Sequence, residues 1–515
     1  MHYFLTIIFL FHSAFAVSFN ILDYGAVNDS TVLSTEAIQN TVNAAAENGG
    51  GEVMVPPGVY LSGTIMLKSN VTLNVMAGAR IKGSPNIDDY IKMTWGHNKD
   101  RQPYHLIAAK DVENIAIIGG GTIDGNGPAF WQPHDPAEDP QWIMAKKLKV
   151  SPLVEIENCR NVRLRDVLLK TGGGWTLHLY NSVLVNVDNI RILNHLFSPN
   201  GDGIDITGGH DITISNCVIK TCDDAICLKT TGDSDECRRV TVTNCVLECS
   251  CAALKIGNES FRDIEQVTIS NCVVYNSSRA FAIYAESAGT VQDIAVNTIV
   301  CDTRAPLLYN RPIHLSLQKR VDSDGVLYSS KSLETGKIYD AEGREPQLRN
   351  ISISDFTART GGRILITAAP GMQIEDLTLC NIKMDYEWIE DPKPYIDRAK
   401  SSQFSPKNPD AKMAEAAVVV ENVDNFILDG LQITWPQHTE FPQDWIFPKK
   451  IANGTLDSFY PDYSRARQTE YSAVWGRGLT GGYIFAPLAT ASDSTRPIFD
   501  LKSSSIRTLS TKIEE

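Results

Sequence analysis

The chain has 515 residues, and its 47 Lys and Arg against 61 Asp and Glu give a formal net charge of −14. That length admits a large core, and the acidic balance argues against nucleic acid as a partner. It also opposes a polyanionic ligand unless the binding groove is locally basic. Eleven cysteines is an odd count, so at least one thiol stays unpaired.

The first residues, "MHYFLTIIFLFHSAFA", carry an apolar core from Phe4 to Phe11 and small residues at Ala14 and Ala16. This is the build of a secretory signal peptide over residues 1–16, although no Lys or Arg precedes the apolar core. The run is too short to cross a bilayer comfortably, and no later segment is apolar for long enough. A secreted or periplasmic monomer with no membrane span is expected. Next comes "STEAIQNTVNAAAENGG", where Ser34 is placed to cap a helix with Ile38, Val42 and Ala45 on one face, stopped at Gly49. Such a helix would cover the open end of a repeat structure.

Alternating apolar pairs then recur: Val162/Leu164, Ile190/Ile192, Ile212/Ile214, Val240/Val242, Val267/Ile269 and Ile294/Val296, at offsets of 28, 22, 28, 27 and 27 residues. More follow at Ile351/Ile353, Leu377/Leu379 and Phe426/Leu428. Period-two strands with turn residues and no helix between them predict an all-β fold, a right-handed parallel β-helix spanning residues 17–435. Two residues after four of these pairs stand Asn194, Asn216, Asn244 and Asn271. Stacked about 4.8 Å apart they would form an amide ladder, with Cys217, Cys245 and Cys272 as a column of reduced thiols beside it. Residues 312–346 read as an insertion in one coil, and residues 436–515 as an irregular extension.

The acids are placed by this repeat. Eight residues beyond Asn194 lies Asp202, and eight beyond Asn216 lies Asp224; the same step reaches Ala252 and Arg279. Asp202 and Asp224 should therefore be neighbours on adjacent coils, with Asp223 beside them. Three such carboxylates cannot all ionise freely, which suits acid/base chemistry. A lone turn aspartate would more simply bind its own backbone. In the strands that follow, Asp205, Cys227, Lys255 and Ala282 form one outward column, and Thr207, Lys229, Gly257 and Tyr284 the next. His178 joins from the coil before and His314 from a coil beyond. Together with Trp175 these residues make a carbohydrate groove with local positive charge.

At these residues the sequence resembles glycoside hydrolase family 28, the polygalacturonase-like enzymes, from about Phe19 to Trp435. The family's Asn-Thr-Asp appears as Asn200-Gly201-Asp202, and its Asp-Asp pair as Asp223-Asp224. The resemblance implies that Asp223 is the general acid, while Asp202 and Asp224 activate water for inversion at the anomeric carbon, with no cofactor and no metal. Two motifs depart. The family's Gly-His-Gly falls on Cys251-Ala252-Ala253, and its Arg-Ile-Lys falls near "SSRAFAIYA", where Arg279 is displaced by a residue and no lysine follows. The expected activity is hydrolysis of a galacturonan or rhamnogalacturonan type of polysaccharide. The substrate-binding candidates are Lys255, Lys229, His178, Asn200, Asp205, Arg279, Tyr284 and His314. The competing readings are a polysaccharide lyase on the same scaffold and a non-catalytic carbohydrate-binding β-helix.

Overall fold

The computed structural model describes residues 17–93, 101–134, 143–304, 310–321, 327–331, 337–340, 343–386, 408, 410–411, 414–435, 471–491 and 497–509. The expected signal peptide lies outside the described residues. The chain winds into a right-handed parallel β-helix, and its strands join in one 34-stranded sheet. A typical coil contains three strands, Ile204–Thr207, Gly209–Ser215 and Val218–Thr221. The next coil stacks Ile226–Thr230, Cys237–Thr243 and Val246–Cys249 directly on them. Alternation explains the winding: every second residue points into a shared interior, so each strand buries one file of side chains. One such file runs Ile206, Leu228, Ile256, Ile283, Leu315 and Ile366. All six are buried, and each contributes about 1.5–3 kcal/mol relative to exposure.

The asparagine column exists, but one of its expected members is wrong. Strand pairing places Val185 and Val187, not Ile190 and Ile192, beside Ile212 and Ile214. The column is therefore Asn189, Asn216, Asn244 and Asn271, each with a left-handed backbone (φ 52° to 57°) that asparagine tolerates. Asn244 Nδ2 donates to Asn216 Oδ1 at 3.4 Å. Asn194 instead lies on another strand line, where its Nδ2 donates to Thr176 Oγ1 at 2.7 Å and Thr221 Oγ1 at 3.2 Å. The error arose because Ile190/Ile192 is a second apolar pair five residues after Val185/Val187, and the turn from Leu193 to Asp202 is five residues longer than that from Lys220 to Asp224. Counting from Ile190 instead of Val185 shortened one apparent offset to 22. The acids are nevertheless adjacent, because pairing of Ile204 with Ile226 sets Asp202 beside Asp224.

Cys217, Cys245 and Cys272 stack as expected and are free and buried. Helix α1, Thr35–Glu47, lays Ile38, Val42 and Ala45 against the first coils. Ser34 does not cap it, since its hydroxyl is bonded to the backbone of Val27. Two boundaries also shift. Arg311–Leu317 is an ordinary coil strand, so the insertion starts after Leu317 and includes an antiparallel hairpin, Ser329–Lys331 with Ile338–Asp340. The extension is not wholly irregular: Ser472–Phe485 pairs in parallel with Ala416–Thr434, and Phe499–Lys502 and Ser505–Leu509 pair with it in turn. Its buried Val474, Leu479 and Ile484 continue the apolar interior where repeated turn signals had ceased. Among the described residues, no helix is long and apolar enough to cross a membrane.

The column yields a stability test. Replacing Asn244 by Ala loses the ladder bond and the short polar side chain by which asparagine tolerates the left-handed region, so urea midpoints should show a loss of about 1–2 kcal/mol. Asn244→Gly, which keeps the backbone conformation, should cost less. The stacked thiols should resist alkylation in the folded protein and all react in denaturant, as intact-mass measurement would show. Parallel neighbouring side chains do not give the converging Cβ vectors that a disulfide needs.

Candidate active site

The acids lie where a turn enters the first strand of each coil. Asp202 precedes Ile204–Thr207 and Asp224 precedes Ile226–Thr230. The apolar residues of these strands anchor the backbone in the core, so the acids are carried on a rigid edge. Asp202 and Asp224 are buried, and Asp223 keeps part of its surface open. Backbone bonds hold them in register: Gly203 N donates to Asp224 O at 2.9 Å, and Ala225 N to Ala252 O at 3.1 Å.

A single outward column crosses the site. It runs Glu155, His178, Asp205, Cys227, Lys255, Ala282 and His314, each paired with the next. Lys229 lies beside it and donates from Nζ to Asp205 Oδ1 at 2.6 Å, with Asp202 Oδ2 at 3.6 Å. The same ammonium sits 4.0 Å from the centre of the Trp175 ring. Lys255 Nζ donates to Asp224 Oδ2 at 2.6 Å, and Ala252 N donates to Asp224 Oδ1 at 3.2 Å. Both oxygens of Asp224 are thus bonded. Asp223 Oδ1 accepts from the backbone N of Asp224 at 3.0 Å, and among the described residues Asp223 has no ion-pair partner.

These contacts separate the acids. Burial works to raise the Asp224 carboxyl, but Lys255, Arg279 and Lys229 outweigh it and hold Asp224 below its ordinary range. Asp223, desolvated and next to the Asp224 charge, is pushed up to about 6. Asp202 is raised well above its usual range by burial and then by the charges of Asp205 and Asp223, against the pull of Lys229. Asp205 is also raised, by burial, despite its contact with Lys229. One acid kept ionised beside another kept protonated is the division that acid/base catalysis uses.

The other candidates are distributed along the same face. His178 is buried, with Nδ1 donating to Glu155 at 3.0 Å and Nε2 at 2.9 Å from Thr207 Oγ1. Tyr284 Oη lies 2.9 Å from His314 Nδ1, and both residues are buried. Burial and then Arg311, Arg279 and Arg363 hold His314 far below the usual histidine range, so it stays neutral. Arg279 is paired with Ala252 and Arg311 on neighbouring strands. Asn200 supplies a left-handed turn (φ 46°) just before Asp202. The expected column of Thr207, Lys229, Gly257 and Tyr284 is strand-paired from Thr207 to Lys229 and then interrupted by a bulge after Ile256, although Gly257 still lies against Tyr284, whose carbonyl a Cβ there would strike. Glu155 was missed, as was Arg101, whose guanidinium donates to it at 2.8 Å. A glutamate at an outward place in the apolar strand "LVEIE" was the available signal. Asp223, Asp224 and Cys251 have ligand atoms within 4.8 Å of one another, a spacing that would admit an ion, although Lys255 already neutralises Asp224.

Residues 48–304 match the model of glycosyl hydrolases family 28. Over 252 residues the chain is 30% identical to an exo-poly-alpha-D-galacturonosidase of Dickeya chrysanthemi, covering 40% of this chain and 41% of that protein. It is 29% identical over 231 residues to a probable polygalacturonase of Vitis vinifera, covering 42% and 45%. The matches therefore span less than half the length of these relatives. The solved family 28 exopolygalacturonase of Yersinia enterocolitica has the same fold, with a TM-score of 0.65 at 18% identity over 85% of this chain and 78% of that one. The acids Asp202, Asp223 and Asp224 fall inside the matched span, on the fold those relatives share, and the chain belongs to glycosyl hydrolases family 28.

Proposed function

We propose that the protein is an exported, inverting glycoside hydrolase acting on a pectic polysaccharide of galacturonan or rhamnogalacturonan type. The observation that carries this reading is the division among three adjacent acids, with Asp224 held ionised by Lys255 and Asp223 left able to keep a proton near pH 6. Asp223 protonates the leaving glycosidic oxygen while Asp224 takes a proton from water, whose oxygen attacks the anomeric carbon from the opposite face. The glycosidic bond breaks, a new carbon–oxygen bond forms, and the two acids exchange their protonation states until solvent resets them. Asp202, next to Asp224 but more ready to carry a proton, orients that water.

End-wise attack is the mode we favour. It is supported by the exo activity for which the Dickeya relative is named and by the insertion, which packs against the C-terminal ends of the groove strands. There Gly232 N donates to Ser330 Oγ at 3.2 Å, and Arg320 pairs with Glu259 at 3.1 Å. Incubation with a panel of pectic fractions should release saturated mono- or disaccharides early, detected by reducing-end and product analysis. An ultraviolet-absorbing unsaturated product would instead mean a lyase, and binding without turnover a non-catalytic protein.

Two measurements follow from the acids. Asp223→Asn should lower turnover about 10²–10⁴-fold, the usual loss when a general acid is removed. Asp224→Asn should do comparable damage, and folded Asp223→Asn protein with normal activity would sink the mechanism. The pH profile has a defined sign. The working form has Asp223 protonated, so kcat/KM should fall as pH rises through about 6, by about tenfold per unit. On the acid side activity should persist until Asp224 is protonated, below its ordinary range.

A further inference from the structure

We propose that Lys255 is the positioning residue that decides which of the paired aspartates is the base, a role resting on the hydrolase reading above. Lys255 stands on the strand stacked over Asp224, three residues past Ala252, which occupies the place of the family's histidine in this chain. An alanine there offers Asp224 only its backbone N–H, at 3.2 Å. The Nζ of Lys255 supplies the remaining partner at 2.6 Å, from a side chain only 11 % exposed.

The geometry gives this contact its selectivity. Lys255 bonds Asp224, Lys229 bonds Asp205 and approaches Asp202, and Asp223 has no cation within ion-pair distance among the described residues. Two lysines are thus shared out over three of four neighbouring acids, and within the Asp223–Asp224 pair the acid left without a cation is Asp223. With its ammonium committed to Asp224, Lys255 acts on the acids rather than reading a carboxylate on the sugar. The groups facing Asp224 are Asp202 and Asp205 from the coil before, Asp223, Cys227 and Lys229 from its own, Cys249, Cys251 and Lys255 from the next, and Arg279 and Tyr284 beyond. Of the cations among them, Lys255 is the one bonded to it. Tyr284, whose ring centre is 5.7 Å from Nζ, supports the ammonium from the far side.

Removing the charge should raise the proton affinity of Asp224, because an opposite charge this close lowers a carboxylate by about 1–3 pH units. In Lys255→Met the acid limb of kcat/KM should therefore move up by about one unit or more. The loss should be equal on acidic and on esterified pectic substrates. Lys255→Arg, which keeps the charge, should return the limb towards its original place. A purely structural lysine would lower activity without moving the limb, and selective loss on acidic substrates would make Lys255 a sugar contact; either result overturns the proposal. A second measurement needs no substrate. Infrared titration of the carboxyl C=O band, taken as the difference between proteins with Asp224 and with Asp224→Asn, should show Asp224 protonating at higher pH when Lys255 is replaced by Met. If that band does not move, the proposal fails whatever the activity. If it moves while the unaltered protein cleaves no pectic fraction, the control of Asp224 by Lys255 stands and the hydrolase reading falls.

Discussion

Everything in this molecule depends on the hydrogen bonding of one coil to the next. Parallel pairing fixes neighbours about 4.8 Å apart, whatever their separation in sequence. Asp202 and Asp224 are neighbours for that reason, as are Asp205, Cys227 and Lys255. A loop-built site would have to order each of its residues separately, at about 1–2 kcal/mol of backbone entropy apiece. Here that ordering is already accomplished by the strands. The interior file from Ile206 to Ile366 keeps the pairing from slipping, since a shift of one residue would turn every apolar side chain outward.

The stack also creates the electrostatic problem that the site turns to use. Setting Asp202, Asp205, Asp223 and Asp224 side by side, mostly out of water, would be very unfavourable if all were ionised and unpaired. Lys229 and Lys255 relieve it unequally, and the inequality is chemically useful. A third lysine at the column position of Ala282 would lie one strand farther from Asp224 than Lys255 does. The local positive charge expected of the groove is therefore largely taken up by its own acids, since Lys229 and Lys255 are bonded to Asp205 and Asp224.

Much of this was legible from residues alone, for a physical reason. A solenoid converts sequence period directly into spatial adjacency, so the outward file of Asp205, Cys227, Lys255 and Ala282 could be written down from strand alternation. Turns break that conversion. The longer turn before Asp202 misplaced Asn194, and the bulge after Ile256 broke the strand pairing of the second outward file beyond Lys229. The coil formed by residues 472–485 escaped notice because glycines interrupt its apolar alternation at Gly476, Gly478, Gly481 and Gly482. Side-chain pairing was less accessible still. That Lys255 reaches Asp224 rather than Asp205, which shares its column, depends on a rotamer that no period encodes.

Strands and turns therefore divide the work, and the division explains how the chain departs from its family without losing the site. Inward residues answer to the core and the pairing register. Outward residues answer only to their neighbours two or three columns away, so one of them can take over another's charge. At the place of the family histidine the chain has Ala252, which packs with Ala282 and Tyr284 in a small buried cluster. The side-chain contact to Asp224 comes instead from Lys255, on the same strand. A histidine loses its charge near neutral pH, whereas a lysine bonded to a carboxylate keeps it. The substitution consequently exchanges a titrating neighbour for a fixed positive one. With that charge beside Asp224, Asp223 is the member of the pair that holds a proton towards pH 6, while Asp224 stays ionised and open to receive one.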